Sequence, residues 1–247
     1  MFKTLTAIAV LATLLSIPVF IAADRTPVLV ELFTSEGCDS CPPADEVLIR
    51  LARQRSVAGT DLIVMSEHVD YWNDLGWKDP YSSSAFTERQ QLYGNVLGRG
   101  NIYTPEAVID GRFDVLGSNY GGVVDAIARA ARIKKGVIMA ASRWRGDMVE
   151  VEVSTQPMSE AANVYLAVTE DNLSNKVTRG ENKGKTLAHI AVVRRLMQLG
   201  YVKPNTPFAI DRSFKLQPEW KSPDLRIVAF AQSDKSRAVL SATEIGF

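Results

Sequence analysis

Apolar residues are spaced in three ways along this chain, and each spacing predicts a different kind of structure. Between Leu5 and Ile21 they run almost unbroken behind the short positive segment Met1-Phe2-Lys3. From there to about residue 135, compact β-branched runs alternate with stretches whose apolar positions recur every three or four residues, as strands and amphipathic helices do in turn. Beyond that point, only short β-like runs separated by turn formers remain.

In the middle segment, residues 28–33 read as a buried strand, bounded by Pro27 and by Ser35 and Gly37. A helix is predicted over 45–57, with Val47, Leu48, Leu51 and Ala52 on one face and a stop near Ala58-Gly59. Residues 61–69 read as a second buried strand, giving a βαβ unit with a parallel pair. Residues 70–80, DYWNDLGWKDP, fit no regular element. A helix over 83–97 follows, with Phe86, Leu92, Tyr93 and Val96 as its apolar side. Residues 107–109 and 113–116 pair through Asp110-Gly111, a strong hairpin signal. A helix over 120–134 then presents Val123, Val124, Ile127 and Ala130-Ala131 on one side. The last segment offers strands at 137–141, 148–153, 164–168, 191–196, 208–210, 225–231 and 238–245, with turns at Arg145-Gly146-Asp147 and Lys203-Pro204-Asn205. This spacing predicts an antiparallel sandwich of about seven strands. The expected organisation is an α/β domain over 24–135 followed by an all-β sandwich-like domain over 136–247.

Composition changes little in this picture. Of 247 residues, 46% are hydrophobic and 23% charged, as in ordinary globular proteins. The formal net charge is +0, without basic blocks, which removes the electrostatic ground for nucleic-acid binding. The N-terminal run, closed by Ala22-Ala23 before Asp24, reads as a signal peptide over 1–23. An uncleaved anchor is the competing reading, because the run is nearly long enough to span a bilayer; Pro18 near its end favours cleavage. The expected location is outside the cytoplasm, periplasmic or secreted, with membrane contact only through this segment if it is retained.

Candidate chemistry is concentrated just after the first strand, at Cys38-Asp39-Ser40-Cys41, with Pro42-Pro43 opening the next helix. Two intervening residues at a helix start bring both sulfurs into bonding range. The first thiol sits beside free N–H groups and the positive end of the helix dipole, which stabilise the thiolate that attacks disulfides. Cys38 is accordingly assigned as the attacking thiol and Cys41, deeper in the helix, as the resolving thiol. These are the only 2 Cys of the chain, so a monomer has no other disulfide to form. A structural staple would ordinarily close a larger loop, and a zinc site needs about four ligands. A CxxC beside a βαβ pattern is instead a redox signature. Glu36 and Asp39 place negative charge near Cys38 and oppose the dipole, which argues against a strongly oxidising couple.

The order β-α-β-α-β-β-α, with Cys38-Asp39-Ser40-Cys41 and Thr104-Pro105, resembles the thioredoxin fold. The resemblance implies that Pro105 is cis and faces the CxxC, and that Thr104 turns its backbone toward an extended substrate segment. It also implies a buried acid on the first strand that takes the resolving thiol's proton. Glu31 matches that acid only with one residue inserted before Cys38, and a strand-edge charge facing solvent is the equal alternative. More narrowly, ELFTSEGCDSCPPAD, HVDYWNDLGW and YTPEAVIDG resemble the exported domain-of-unknown-function family 1223, over most of the chain after Ala23. That family has no defined activity.

His68 is either a structural residue or, with Asp70, a neighbour of the CxxC. Tyr71, Trp72 and Trp77 form either a rim that binds substrate, with Trp72 foremost, or a loop packed on its own domain. GENKGKT at 180–186 is one residue short of a phosphate-binding loop and reads as a polar hairpin loop, with His189 beside it as structural. Asn172-Leu173-Ser174 matches a glycosylation acceptor, a pattern short enough to recur by chance. The function expected is an exported thiol–disulfide oxidoreductase without cofactor or metal. Its partners are protein or peptide thiols and disulfides and a redox partner. The alternative is a thioredoxin-like copper carrier, since Cu(I) suits thiolates. Either thiol chemistry requires the pair to lie against Pro105 and to be reachable by another molecule.

Overall fold

The computed structural model describes residues 25–57 and 59–246. The leader read over 1–23 and the helix stop at Ala58 lie outside the described residues. In chain order the elements are β1 (Pro27–Thr34), α1 (Pro42–Gln54), β2 (Asp61–His68), α2 (Ser84–Val96), β3 (Glu106–Ile109), β4 (Phe113–Leu116) and α3 (Tyr120–Ala130). There follow β5 (Ile138–Arg145), β6 (Met148–Thr155), β7 (Ala162–Glu170), β8 (Leu173–Lys176), β9 (Thr186–His189), β10 (Val192–Val202), β11 (Phe208–Lys215), β12 (Leu225–Ser233) and β13 (Val239–Gly246).

Helix ends follow backbone chemistry more than apolar spacing. α1 starts at Pro42, earlier than its periodicity suggests, because Pro42 and Pro43 occupy positions that lack hydrogen-bond partners anyway. It ends at Gln54, where Arg55 turns left-handed with φ 51°. α2 corrects the expected apolar side: it buries Phe86, Arg89, Gln90, Tyr93 and Gly94, while Leu92 and Val96 are exposed. Periodicity fails there because the buried face is largely polar. Residues 70–80 contain a single 3-10 turn, Asn73–Leu75. Strands in the last segment outrun their apolar cores, as β10 does over 11 residues, because their polar ends are still paired.

The main sheet has eight strands in the order β13-β12-β7-β10-β2-β1-β3-β4. β1 and β2 are parallel and β3–β4 antiparallel, as the pattern predicts; β1 also pairs with β3, antiparallel. The sheet does not stop at residue 135. β10 lies parallel to β2, with Val192 opposite Ser66 and the Ser66 amide donating to Ala191 O at 2.8 Å. A smaller sheet, β11-β6-β5, covers β7, β10 and β12, burying Val149, Val151 and Val153 against Val164, Leu166, Ile227 and Ala229. The two sequence segments are therefore joined through one continuous sheet.

Alternation along β1 decides what lies on each face. Val28, Val30 and Leu32 pack with Ala44, Leu48 and Leu51 of α1 and with Val123 and Ile127 of α3. Leu29 shares a cluster with Phe86 of α2 and with Val228 and Phe230 of β12, and Phe33 shares one with Tyr93. The β3–β4 turn has φ of 53° at Asp110 and 61° at Gly111, the two left-handed residues of a type I′ hairpin. A side chain at Gly111 would meet Arg237 O at 2.0 Å, so this hairpin also seats directly on the second segment. Asp110 holds it there: its carbonyl accepts from Val239 N at 2.8 Å, and its buried carboxylate pairs with Lys135 at 2.7 Å.

Candidate functional site

The site begins where β1 ends. The turn after Thr34 is drawn tight by Gly37 N donating to Ser35 Oγ at 3.1 Å and by Cys38 N donating to Ser35 O at 3.2 Å. A side chain at Gly37 would meet Trp72 Cβ at 3.0 Å, so the aromatic loop closes directly onto the turn. Cys41 caps α1, its carbonyl accepting from Ala44 N at 2.8 Å and Asp45 N at 3.2 Å. Cys38 and Cys41 form a disulfide, with their Cα atoms 5.4 Å apart.

Four of the expected site residues converge with the sulfur of Cys38. The Thr104–Pro105 bond is cis, as expected. Trp72 Nε1 donates to Thr104 Oγ1 at 2.8 Å, and that hydroxyl donates to Cys38 Sγ at 3.5 Å. Ser40 Oγ lies 3.3 Å from the same sulfur. Pro105 sits by the first turn of α1, since a side chain at Gly117 would meet Leu32, Ala44 and Pro105 together.

Glu31 is not part of this group, which corrects its expected role. Successive strand residues face opposite sides, and Glu31 faces α2, whereas α1 and Cys41 lie on the other side. Its carboxylate accepts from Arg89 Nε at 2.7 Å, from Arg89 Nη2 and from Tyr93 OH. Arg89 also lies 3.4 Å from Glu67 and 3.2 Å from Gln232 Oε1 of β12. Burial pushes the Glu67 carboxyl well above the usual range; Arg89 opposes this and the charge of Glu31 adds to it. The alternative of a solvent-facing Glu31 fails too, because the side chain is fully buried.

The disulfide itself is closed off: Cys38 and Cys41 are both 0% exposed. Thr104, the residue before Pro105, reaches the Cys38 sulfur, but the requirement that the pair be reachable by another molecule is not met in this conformation. Trp72 covers one side. The loop joining β8 and β9 covers another, and it is the polar loop GENKGKT, found in a hairpin as its sequence reads. Asn182, fully buried, donates from Nδ2 to Glu36 O at 2.9 Å and to Cys38 O at 2.8 Å. Asp39 N donates to Glu181 Oε2 at 3.2 Å.

A polar cluster lies beneath the turn. His189 Nε2 is 3.0 Å from Glu36 Oε1, and Glu36 Oε2 accepts from Trp77 Nε1 at 2.8 Å. His68 Nδ1 is 2.7 Å from Asp79 Oδ2, which also accepts from Glu36 N at 2.8 Å. Burial opposes the Asp79 charge, but His68 beside it and the two backbone donors win and hold its carboxyl below the usual range. The His68 and His189 rings meet edge to face, 4.8 Å apart. Tyr71 bonds Gln90 at 3.2 Å, and Asp70 accepts from Thr87 at 2.6 Å, so the aromatic loop is also pinned to α2. Among the described residues, no group of three or more His, Cys, Asp or Glu is arranged to hold a metal ion.

Asp45 is the unexpected member. It is buried one helical turn after Cys41, and its Oδ1 has no hydrogen-bond partner. Burial pushes its carboxyl up to about 7, with His189 and Thr34 pulling the other way and Asp79 and Glu36 adding to the rise. A carboxyl raised from 3.8 in this way leaves stability intact below about 3.8 and takes it away as pH climbs through about 7. Asp45→Asn is therefore expected to match the wild type in stability at low pH and to exceed it by up to about 4 kcal/mol above neutrality. Denaturant titrations at the two ends of that range check this, and a gap independent of pH contradicts it.

A disulfide at a helix start, under a polar loop and beside a cis-prolyl bond, on a mixed α/β sheet, defines a class of site rather than an activity. The chain belongs to the family described as "Protein of unknown function (DUF1223)", whose model matches residues 29–232. No curated protein matches it. Among solved structures, it is similar to the protein AGR_C_4864 from Agrobacterium tumefaciens, at 30% identity and a TM-score of 0.71, over 91% of this chain and 96% of that one. A domain of the outer membrane lipoprotein Omp28 from Porphyromonas gingivalis matches at 12% identity and a TM-score of 0.31, over 47% of this chain and 89% of that one.

Proposed function

We propose that this protein is an exported, thioredoxin-like thiol–disulfide oxidoreductase working through the Cys38–Cys41 couple. The observation that carries the reading is the convergence of the disulfide with Thr104 and Trp72 at the N-terminus of α1. A staple of sequence separation 3 constrains little of the unfolded chain, so its placement at the helix mouth points to chemistry. In exchange, Cys38 forms a mixed disulfide with a protein or peptide thiol and Cys41 resolves it. Trp72 and the loop bearing Asn182 must first move aside, since they bury Cys38. Cys41→Ala is expected to leave Cys38 joined to its partner, visible as adducts that reductant removes. Absence of adducts from cells expressing Cys41→Ala, together with no exchange by the intact protein on small disulfides, contradicts the proposal.

Complete burial of both cysteines supports a second reading, in which the disulfide only fixes the turn for a binding or structural protein. A Cys38→Ser, Cys41→Ser double variant that keeps full function in the cell decides for it. The copper-carrier alternative is separated by titrating the reduced protein with Cu(I): tight stoichiometric binding with negligible exchange supports the carrier.

A further inference from the structure

We propose that Asp45, backed by His189 of β9, takes and returns the proton of the Cys41 thiol. The inference rests on the thiol-exchange reading above and supplies the acid that Glu31 does not.

Three features of the fold point there. Cys41 and Asp45 are four residues apart at the start of α1, hence on one face, and helical side chains lean toward the N-terminus. The carboxyl of Asp45 thus leans back toward the Cys41 turn. With the disulfide closed, both residues are shut away from solvent, at 0% and 6% exposure. Behind Asp45, His189 Nδ1 lies 3.9 Å from Asp45 Oδ2 and has no hydrogen-bond partner, while Nε2 contacts Glu36. With the ring proton on Nε2, facing the Glu36 carboxylate, Nδ1 presents its lone pair to Asp45. The groups facing Asp45 are Thr34 at the end of β1, Glu36 in the turn, His189 on β9 and Asp79 in the aromatic loop. Among these groups, only His189 carries an open ring nitrogen toward the carboxyl.

The step balances within the site. In a mixed disulfide, the Cys41 thiol gives its proton to the Asp45 carboxylate. The Cys41 sulfur then bonds to Cys38 Sγ, and the bond from Cys38 to the partner's sulfur breaks. The electron pair leaves with that sulfur, which is reduced to a thiolate while the two protein cysteines become a disulfide. In the opposite direction, protonated Asp45 returns its proton to Cys41 as Cys41 departs. An acid poised near neutral pH can do both. The C-terminal half thereby contributes a residue to the thiol chemistry of the N-terminal half.

The test uses the full chain with a chromophore as partner. Reduced protein is converted to the mixed disulfide of Cys38 with thionitrobenzoate, and release of the coloured thiol reports closure by Cys41. Asp45→Asn is expected to slow closure by about tenfold or more near neutrality and to flatten its rise with pH. His189→Gln is expected to shift the pH midpoint. As a second readout that needs no labelling, the protonated-carboxyl infrared band missing from Asp45→Asn is expected to titrate at different pH in oxidised and reduced wild type. Closure by Asp45→Asn at the wild-type rate and pH profile, or a band whose midpoint ignores redox state, overturns the inference. Closure of the chromophore adduct is read without any protein substrate. An Asp45-dependent closure in a protein that traps no partner defeats the exchange reading alone; substrate trapping with Asp45-independent closure defeats this inference alone.

Discussion

Asn182→Ala is expected to speed reduction of the Cys38–Cys41 disulfide by dithiothreitol about ten- to a hundredfold under native conditions. The side chain donates to Glu36 O at 2.9 Å and to Cys38 O at 2.8 Å, and among the described residues no other side chain ties the β8–β9 loop to the backbone carbonyls of this turn. Each such bond contributes about 0.5–1.5 kcal/mol net, so losing both favours the open loop by about 1–3 kcal/mol. Reduction requires access to sulfur, and its rate follows the open population when closing is fast. Asn182→Asp is a useful contrast: it retains the shape and loses the donors. A reduction rate unchanged in Asn182→Ala contradicts the assignment of this loop as the cover.

Arg89→Met is expected to cost about 3–5 kcal/mol of folding stability, the largest loss of any single replacement proposed for this chain. The guanidinium lies between Glu31 and Glu67 and also reaches Tyr93 OH at 3.0 Å and Gln232 Oε1 at 3.2 Å. Burial works against its charge, but Glu31 first, then Tyr93 and Glu67, raise its pKa further. Removing it strands the Glu31 carboxylate in a dry interior, and that stranded charge is what destabilises. The double variant Arg89→Met, Glu31→Gln is therefore expected to recover most of the loss. Equal stability of the single and double variants in denaturant titrations contradicts this account. The same cluster links β1, β2 and α2 to β12, so its loss is expected to loosen the two halves together.

Local signals in the sequence carried much of the fold and part of the site. Pro42-Pro43, Asp110-Gly111 and the Cys38–Cys41 spacing each act over a few residues, and each is found where the pattern puts it. What was hidden depends on partners far along the chain. Asn182 meets Cys38 across 144 positions and His189 meets Glu36 across 153, and no periodicity encodes such pairings. The joining of β10 to β2 escaped for the same reason: an apolar run says that a strand is buried, not which edge it adds to. Apolar spacing does not reveal the inward face of α2, because that face carries Arg89 and Gln90, which such spacing assigns to solvent. Glu31 held a legible clue. A lone acid inside an apolar strand needs a buried partner, and Arg89 is that partner.

A buried disulfide that serves as a redox couple must be reached by local opening. The most direct test is the rate of Cys38–Cys41 reduction in wild type as denaturant rises from zero. Local displacement of the β8–β9 loop and Trp72 exposes little surface, so the rate is expected to stay nearly flat at low denaturant and to exceed the rate set by global unfolding. A reduction rate that climbs from the outset with the full denaturant dependence of unfolding contradicts the claim and leaves the pair as a fixture of the folded turn.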